Sequence, residues 1–465
     1  MYTSRKLFLL LLLCYAALFS CSKSDAPDPL PPAPIDTTVH VKSVKIDQSD
    51  FLLLPNKTMQ LTVSIVPSNA SNKNVKWQSG DNNLATVDEY GLVTALQEGM
   101  VTITATSSSN AQMKASVKLI ILKTYQVIAV GDSYLPGGGE SAVYWENGQI
   151  NRLNGKSAYG IIKSGDDLYI SGTILNKSNY NIPVFWKNAE LTIIGNMEGD
   201  EPAFPISIAV KSGKVLLTQN EFSSNECPRY CSGRSKGSYF ISENGNLTEV
   251  LLYNDSSASR ANAILVDGED VLVAGTYAKD IWVNSAVFWR NDSSTVQELS
   301  PADGFYEAFA IGRNGADIYY AGYGGCPYTN CNAKAYIWKN NSSNTISLTD
   351  GSFHANATCL AFSSGIIYAA GYERNAQGNN VAKFWKIDGN KISSYTLGDG
   401  QHGSIISAIE VVGKDIFLLG TETVTLWDTR AKCWRALEDG SNMLVTDVSD
   451  YYVPFGYHGN GMLVR

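Results

Sequence analysis

Charge is scarce in this chain. Asp, Glu, Lys and Arg make up 17% of its 465 residues, against about 25% in an ordinary soluble domain. Lys and Arg (36) fall short of Asp and Glu (44), leaving a net charge of −8. The basic patches of a nucleic-acid-binding protein are therefore missing, and nucleic acid is not an expected partner. Histidine is rarer still: His40, His354, His402 and His458 are the four, and none sits in a recognisable Ser or Cys nucleophile motif. The Gly-rich run Pro136-Gly-Gly-Gly139 lacks the Lys-Ser/Thr pair and the helix of a phosphate loop. No cofactor is expected. Glycine (40), Tyr (25) and Trp (9) are abundant. With Thr and Val they point away from helical bundles and disorder, towards an extended, mostly β chain of two or three domains.

At the N-terminus Arg5 and Lys6 precede an apolar run from Leu7 to Leu18. A spanning helix needs about 20 apolar residues, so this reads as a signal peptide. The run ends Leu18-Phe19-Ser20-Cys21, which resembles the lipobox of bacterial lipoproteins, with Phe19 bulkier than the residue usual there. The resemblance implies cleavage before Cys21, lipidation of its thiol, and a membrane-anchored mature chain. A plain secretory signal cut nearby is the other reading. Ser22-Lys23-Ser24-Asp25 is similar to the surface-export signal of Bacteroidetes lipoproteins. Residues 26–36 form a Pro-rich, semi-rigid spacer. The expected layout is a signal peptide at 1–20 and a linker at 21–39. The expected location is the outer membrane of the cell envelope, with surface exposure left open.

From Val41 to Leu122, short period-2 apolar runs alternate with turn residues, as in Leu61-Thr-Val-Ser-Ile-Val66 and Val101-Thr-Ile-Thr-Ala-Thr106. This pattern predicts an antiparallel sandwich. Pro67-Ser-Asn-Ala70, Val75-Lys-Trp77, Ala85-Thr-Val-Asp88, Gly91-Leu-Val-Thr-Ala95 and Gly99-Met-Val-Thr-Ile103 together resemble the bacterial immunoglobulin-like group 2 domain. That family is a non-catalytic module, often a spacer and sometimes adhesive, which implies a stalk over 40–122. Trp77 is expected in its core, with Gly91 and Gly99 in turns.

Residues 124–465 repeat themselves. One phrase is an apolar strand ending in Gly: Val127–Gly131, Leu168–Gly172, Val271–Gly275, Ile318–Gly322, Ile367–Gly371 and Ile416–Gly420. A second ends in Trp: Trp145, Trp186, Trp289, Trp338, Trp385 and Trp427. The Gly-to-Trp distance is 14 residues in four cases, 16 in one and 7 in the last. Each unit holds four short strands with no room for crossover helices, the pattern of a β-propeller blade. The layout resembles WD-repeat and kelch-like propellers in architecture, without their motifs. The predicted fold is all-β, a sandwich followed by a seven- or eight-bladed propeller over 124–465. Counting a degenerate unit at Val215–Thr218 and a terminal one at 451–464 favours eight. Ring closure keeps seven open, with Met443–Thr446 supplying the inner strand that the first unit lacks. Recurrent turns carry Asp167, Asp270, Asp317 and Asp415, expected to bond nearby backbone, and each Trp is expected to pack between blades.

Cys227/Cys231 and Cys326/Cys331 lie in the same Gly-to-Trp connection of different units. Each pair suits a local disulfide in an exported protein. Zinc is the rival, but the spacings are not CxxC pairs and no His accompanies them, so no metal site is expected. Tyr134, Tyr277, Tyr323, Tyr372 and Tyr457 follow strand-ending glycines. They form a candidate ring for stacking sugars or peptide groups, or else cover strand ends. Asp132, Glu140, Glu221 and Glu373 share those loops as polar contacts. Three functions remain in view: a lipoprotein binding glycan or envelope protein without catalysis, a propeller carbohydrate-active enzyme (hydrolase or lyase), and a scaffold of an envelope complex.

Overall fold

The computed structural model describes residues 38–465 apart from 135–138, 199–201, 223–234, 253–257, 281–282, 293–295, 302, 326–330, 426–427, 438–443 and 453–460. The expected signal peptide and Cys21 lie outside the described residues. All regular structure described is β-strand, and the chain divides into two compact units between Lys123 and Thr124.

The first unit holds a four-stranded, a three-stranded and a two-stranded sheet. In the largest, Gly99–Ser107 pairs with Val75–Ser79 on one side and Lys114–Ile121 on the other, and Phe51–Leu53 adds in parallel. Alternation places Val101, Ile103 and Ala105 inside, where they meet Leu61, Val93 and Leu119 in one core. Trp77 packs against this core half-buried, as expected. Gly91 has φ +86°, and a methyl group there would also press on the Trp77 ring at 2.8 Å and the Leu61 carbonyl at 2.9 Å. The turn and the seating of Trp77 therefore both require glycine.

Among the described residues, the second unit holds seven four-stranded sheets. The first combines Val127–Tyr134, Glu140–Glu146 and Gln149–Arg152 with the C-terminal strand Met462–Val464. The other six are consecutive meanders over residues 157–193, 203–251, 258–298, 307–347, 355–396 and 404–452. Met462–Val464, assigned above to a terminal eighth unit, supplies the inner strand of the first sheet by pairing with Val127–Ala129. Leu444–Tyr452, which contains part of the segment proposed for that role, is instead the outer strand of the seventh sheet.

Seven apolar clusters lie between successive sheets, and the last joins Phe417 and Leu419 of the seventh to Ala129 and Trp145 of the first. The sheets therefore close a ring. A tryptophan sits in six of these clusters, and Phe240 takes its place between the second and third sheets. The seventh sheet uses Trp434, opposite Leu418, rather than the expected Trp427, which lies outside the described residues. With Trp434, the Gly420-to-Trp spacing becomes 14 residues, the common value.

The Gly phrase has a steric cause. The first strand of each of sheets two to seven contains a one-residue register shift at the same level. Gly172, Gly275, Gly322, Gly371 and Gly420 stand opposite the start of that bulge. A methyl group on each would overlap a carbonyl oxygen of the facing strand: Ser157, Arg260, Glu307, Asn356 and Ile405 respectively. The third sheet tolerates Gln219 at this level.

The recurrent Asp bonds side chains more than backbone. Asp167, Asp270 and Asp317 each accept from the Asn two residues after the sheet's Trp (Asn188, Asn291, Asn340; 2.7–2.9 Å). Each also pairs with the Lys or Arg between Trp and Asn, and Asp415 pairs with Arg435 at 3.0 Å. Each Asn Oδ1 in turn accepts the next backbone N–H after its Asp, on Leu168, Val271 and Ile318.

Candidate functional site

The inner strands of the seven sheets, Met462–Val464 in the first, surround an axial cavity of about 250 Å³. Its waist is apolar: Ile161, Ile208, Ile264, Ile311, Leu360 and Ile409 follow the bulges at equivalent registers. The bulges themselves aim Ser207, Asn262, Phe309, Thr358 and Ser407 at its wall. A bulge re-aims one side chain without breaking the sheet, and here it brings polar groups to a ring of branched aliphatic residues.

Several of these polar groups tie one inner strand to the next. Asn262 Nδ2 donates to the Ala308 carbonyl (2.9 Å) and Thr358 Oγ1 to that of Ile406 (2.6 Å), while Ser207 Oγ accepts from the Ile264 N–H (3.3 Å). Asn262, 3% exposed, also donates to Glu307 Oε1 at 3.0 Å. Its own Oδ1 is buried with no hydrogen-bond partner among the described residues, as is that of Asn356. Glu307 is held further by Arg260 (3.5 Å) and the Tyr323 hydroxyl (3.4 Å). Burial, with the Glu307 charge beside it, pushes the Tyr323 phenol well above its ordinary range, so it serves here as a donor rather than a nucleophile.

An aromatic arc runs from Phe309 on the cavity wall to Tyr323 (stacked, 5.8 Å), then His354 (6.2 Å) and Tyr372 (6.0 Å). Tyr323 and Tyr372, two of the five tyrosines singled out in the sequence, are thus brought together. Tyr372 is 3% exposed, meets His354 Nε2 through its hydroxyl at 3.4 Å and lines the axial cavity. Tyr277 is separated from the arc. It lies two residues beyond its Gly rather than one, and a strand alternates faces, so it packs against the core between the third and fourth sheets. The side chains of Tyr134 and Tyr457 lie outside the described residues. Burial and the Arg374 charge hold the His354 imidazole below its usual range.

Among the loop acids, Glu373 pairs with Lys383 and Glu140 with Lys156 (3.7 Å), while Glu221 faces Lys236 across its sheet. Asp132 accepts the Ala158 N–H at 2.9 Å, and burial pushes its carboxyl up to about 7. Glu410 escaped the sequence reading. It sits on the wall of the axial cavity, half-buried, with no hydrogen-bond or ion-pair partner among the described residues, and burial raises it to about 7. Its signal was a single acid inside the apolar strand Ser404–Val412. Cys359, a buried free thiol, also lines the cavity, and burial raises it to about 12; a thiol held protonated is a poor nucleophile. Cys331 is disulfide-bonded, and Cys227, Cys231 and Cys326 lie outside the described residues.

Residues 40–117 match the family model of the bacterial Ig-like domain (group 2). An uncharacterised protein of Clostridium acetobutylicum is 40% identical over 81 residues, 17% of this chain and 8% of that protein. A 3-O-alpha-D-galactosyl-alpha-L-arabinofuranosidase of Bifidobacterium longum is 36% identical over 103 residues (22% and 8%). An alpha-L-arabinofuranosidase of the same species is 26% identical over 251 residues (47% and 23%). The chain thus spans less than a quarter of the length of these relatives. Among solved structures, the β-propeller domain of the Trilobed protease from Pyrococcus furiosus aligns with TM-score 0.41 and 13% identity, covering 77% of this chain and 97% of that one. Trypanosoma rangeli sialidase in complex with sialic acid aligns with TM-score 0.39 and 10% identity, covering 64% and 55%.

Proposed function

We propose that residues 124–465 form a seven-bladed β-propeller that binds a glycan at the axial cavity, on a chain anchored to the outer membrane through Cys21. The observation that carries this reading is that Asn262 and Phe309 line one cavity. The first brings a buried acceptor without a partner among the described residues, the second a half-buried aromatic face. A polyol offers the hydroxyl for the first and the apolar ring face for the second. The arabinofuranosidase relatives support carbohydrate as the ligand class. The shared stretches of 81 and 103 residues are about the size of the Ig-like unit, so their activity itself is not carried over.

Equilibrium binding of the purified protein to a panel of envelope and plant-type oligosaccharides tests the reading. Binding that is lost in Phe309→Ala supports it. Capture of an envelope protein through the same wall, with no glycan bound, favours the complex scaffold. Cys21→Ala should release the protein from membranes. The Ig-like unit acts as a stalk, and Cys326 is the partner we assign to Cys331, with Cys227 and Cys231 as the second pair.

A second reading, glycoside hydrolysis, rests on Asp132. A carboxyl raised to about 7 by burial is only partly ionised at neutral pH, the range in which a general acid works. Cleavage of aryl arabinofuranosides that disappears in Asp132→Asn would establish that reading.

A further inference from the structure

Beside the axial cavity, between the sixth and seventh sheets, a second cavity of about 210 Å³ is lined by Arg374, Asn379, Asn380, Ser404, Ile405 and Thr421. Ile405 belongs to both cavities. Arg374 lies two residues after Tyr372 on one strand, hence on the same face, and its N–H donates to the His354 carbonyl at 2.8 Å. The second cavity therefore continues the aromatic arc.

Its chemistry differs from that of the first. Arg374 is exposed and has no acidic partner among the described residues. The nearest acids on the flanking strands are already taken, Glu373 by Lys383 and Glu422 by Lys432. In a chain of net charge −8, this leaves a local surplus positive charge over a polar pocket. Opposite Arg374 in the hairpin register stands Asn380, whose Oδ1 is buried and unpaired among the described residues.

The walls are pinned in advance. Asn375 Oδ1 accepts the N–H groups of Gln377 (3.1 Å) and Asn379 (2.9 Å), and its Nδ2 donates to the Gly400 carbonyl (2.7 Å). Asn379 Nδ2 donates to the Gly400 and Gln401 carbonyls at 3.2 and 3.1 Å. A loop fixed this way loses little entropy on binding.

We propose, resting on the glycan reading above, that this pocket takes the carboxylate of a uronic-acid residue, so that the ligand is an acidic glycan. The guanidinium offers a fork of donors to the carboxylate. Asn380 Oδ1 needs a donor, which a bare carboxylate lacks and a sugar hydroxyl adjacent to the acid supplies. The pocket thus asks for acid and hydroxyl on one ring.

The test is calorimetric titration of the intact protein with a galacturonic-acid oligosaccharide and with its carboxyl-reduced counterpart, which differs only in having CH₂OH for the carboxylate. The acidic form should bind about tenfold tighter or more, and the preference should shrink with added salt. Arg374→Gln, an exposed position that should leave the thermal transition unmoved, should erase the preference while neutral binding stays within about twofold. Equal binding of the two forms, or a preference that survives Arg374→Gln, overturns the proposal. Tighter binding of oligo-glutamate than of the uronate assigns the pocket to acidic protein instead. Neutral sugar that binds with no gain from the carboxylate sinks this inference and leaves the glycan reading standing; binding of neither sugar sinks this inference, and the glycan reading falls with it only if the whole oligosaccharide panel also fails to bind.

Discussion

The sandwich and the ring are built from the same kind of short antiparallel strand, but they bury different groups. Among the described residues, the polar side chains buried in the sandwich are Ser79 and Ser107, both bonded within their own turns. The ring buries Asn220, Asn262, Glu307 and Asn356, and, away from its inner strands, Arg435 paired with Asp415. A sandwich can be finished by packing two apolar faces. A ring of sheets has an axis where its inner strands converge, and there the bulges expose backbone groups that side chains must satisfy. Asn220, which accepts the Ala261 N–H at 2.7 Å and donates to the Ala261 carbonyl at 3.1 Å, is such a group. The lesson is that polar chemistry collects where the ring cannot be closed by packing alone, and both cavities described above lie beside such groups.

The contrast can be broken experimentally, starting with its largest effect. Gly371→Val forces a side chain onto the Asn356 carbonyl, so the ring's calorimetric transition should vanish while the sandwich's remains. Survival of both transitions would show that the bulge can relax. Trp385→Ala removes a fully buried side chain from the cluster joining the fifth and sixth sheets and should cost the ring about 3–5 kcal/mol. Ile103→Ala in the sandwich should cost about 2–5 kcal/mol and move only the other transition.

Glu410→Gln tests the polar interior of the ring. The folded-state pKa of Glu410 is raised to about 7 from 4.5, so the folded state holds more protons than the unfolded one between those values. The wild-type ring should therefore lose stability as pH rises from about 4.5 to 7, by on the order of 3 kcal/mol from this group. Glu410→Gln should flatten that profile and raise the melting temperature at pH 8. An unchanged profile would place the carboxylate in water. Asp317→Ala breaks a latch to Lys339 and Asn340 at the surface, and chemical denaturation should register the smallest loss of the set, one that shrinks with added salt.

Strand identity was legible in the sequence because apolar alternation and the Gly and Trp phrases recur at fixed spacing. The Gly phrase did not disclose its cause: a bulge is a relation between two strands, and only the pairing reveals that Gly275 faces the Arg260 carbonyl. The tendency to count eight units came from treating Met462–Val464 as a sheet of its own, since nothing local distinguishes a pairing across 335 residues from one with a neighbour. The placement of the tyrosines was hidden for a similar reason. One residue of offset turns Tyr277 to the opposite face of its strand from Tyr323. Arg374 and Asn380 attracted no notice because a charge without a partner and an amide without a donor become visible only after every neighbour has been placed.

The pairing of Met462–Val464 with Val127–Ala129 also orders events during synthesis. The first sheet emerges from the ribosome early, yet it lacks its inner strand until this last segment follows. The seam between the seventh and first sheets stays open until then, so the ring closes against the full loop entropy of the chain between those sheets. A frameshift or proteolytic nick near Met462 would therefore register some 330 residues away, at the sheet made first, making that seam a test of whether the whole ring has been built.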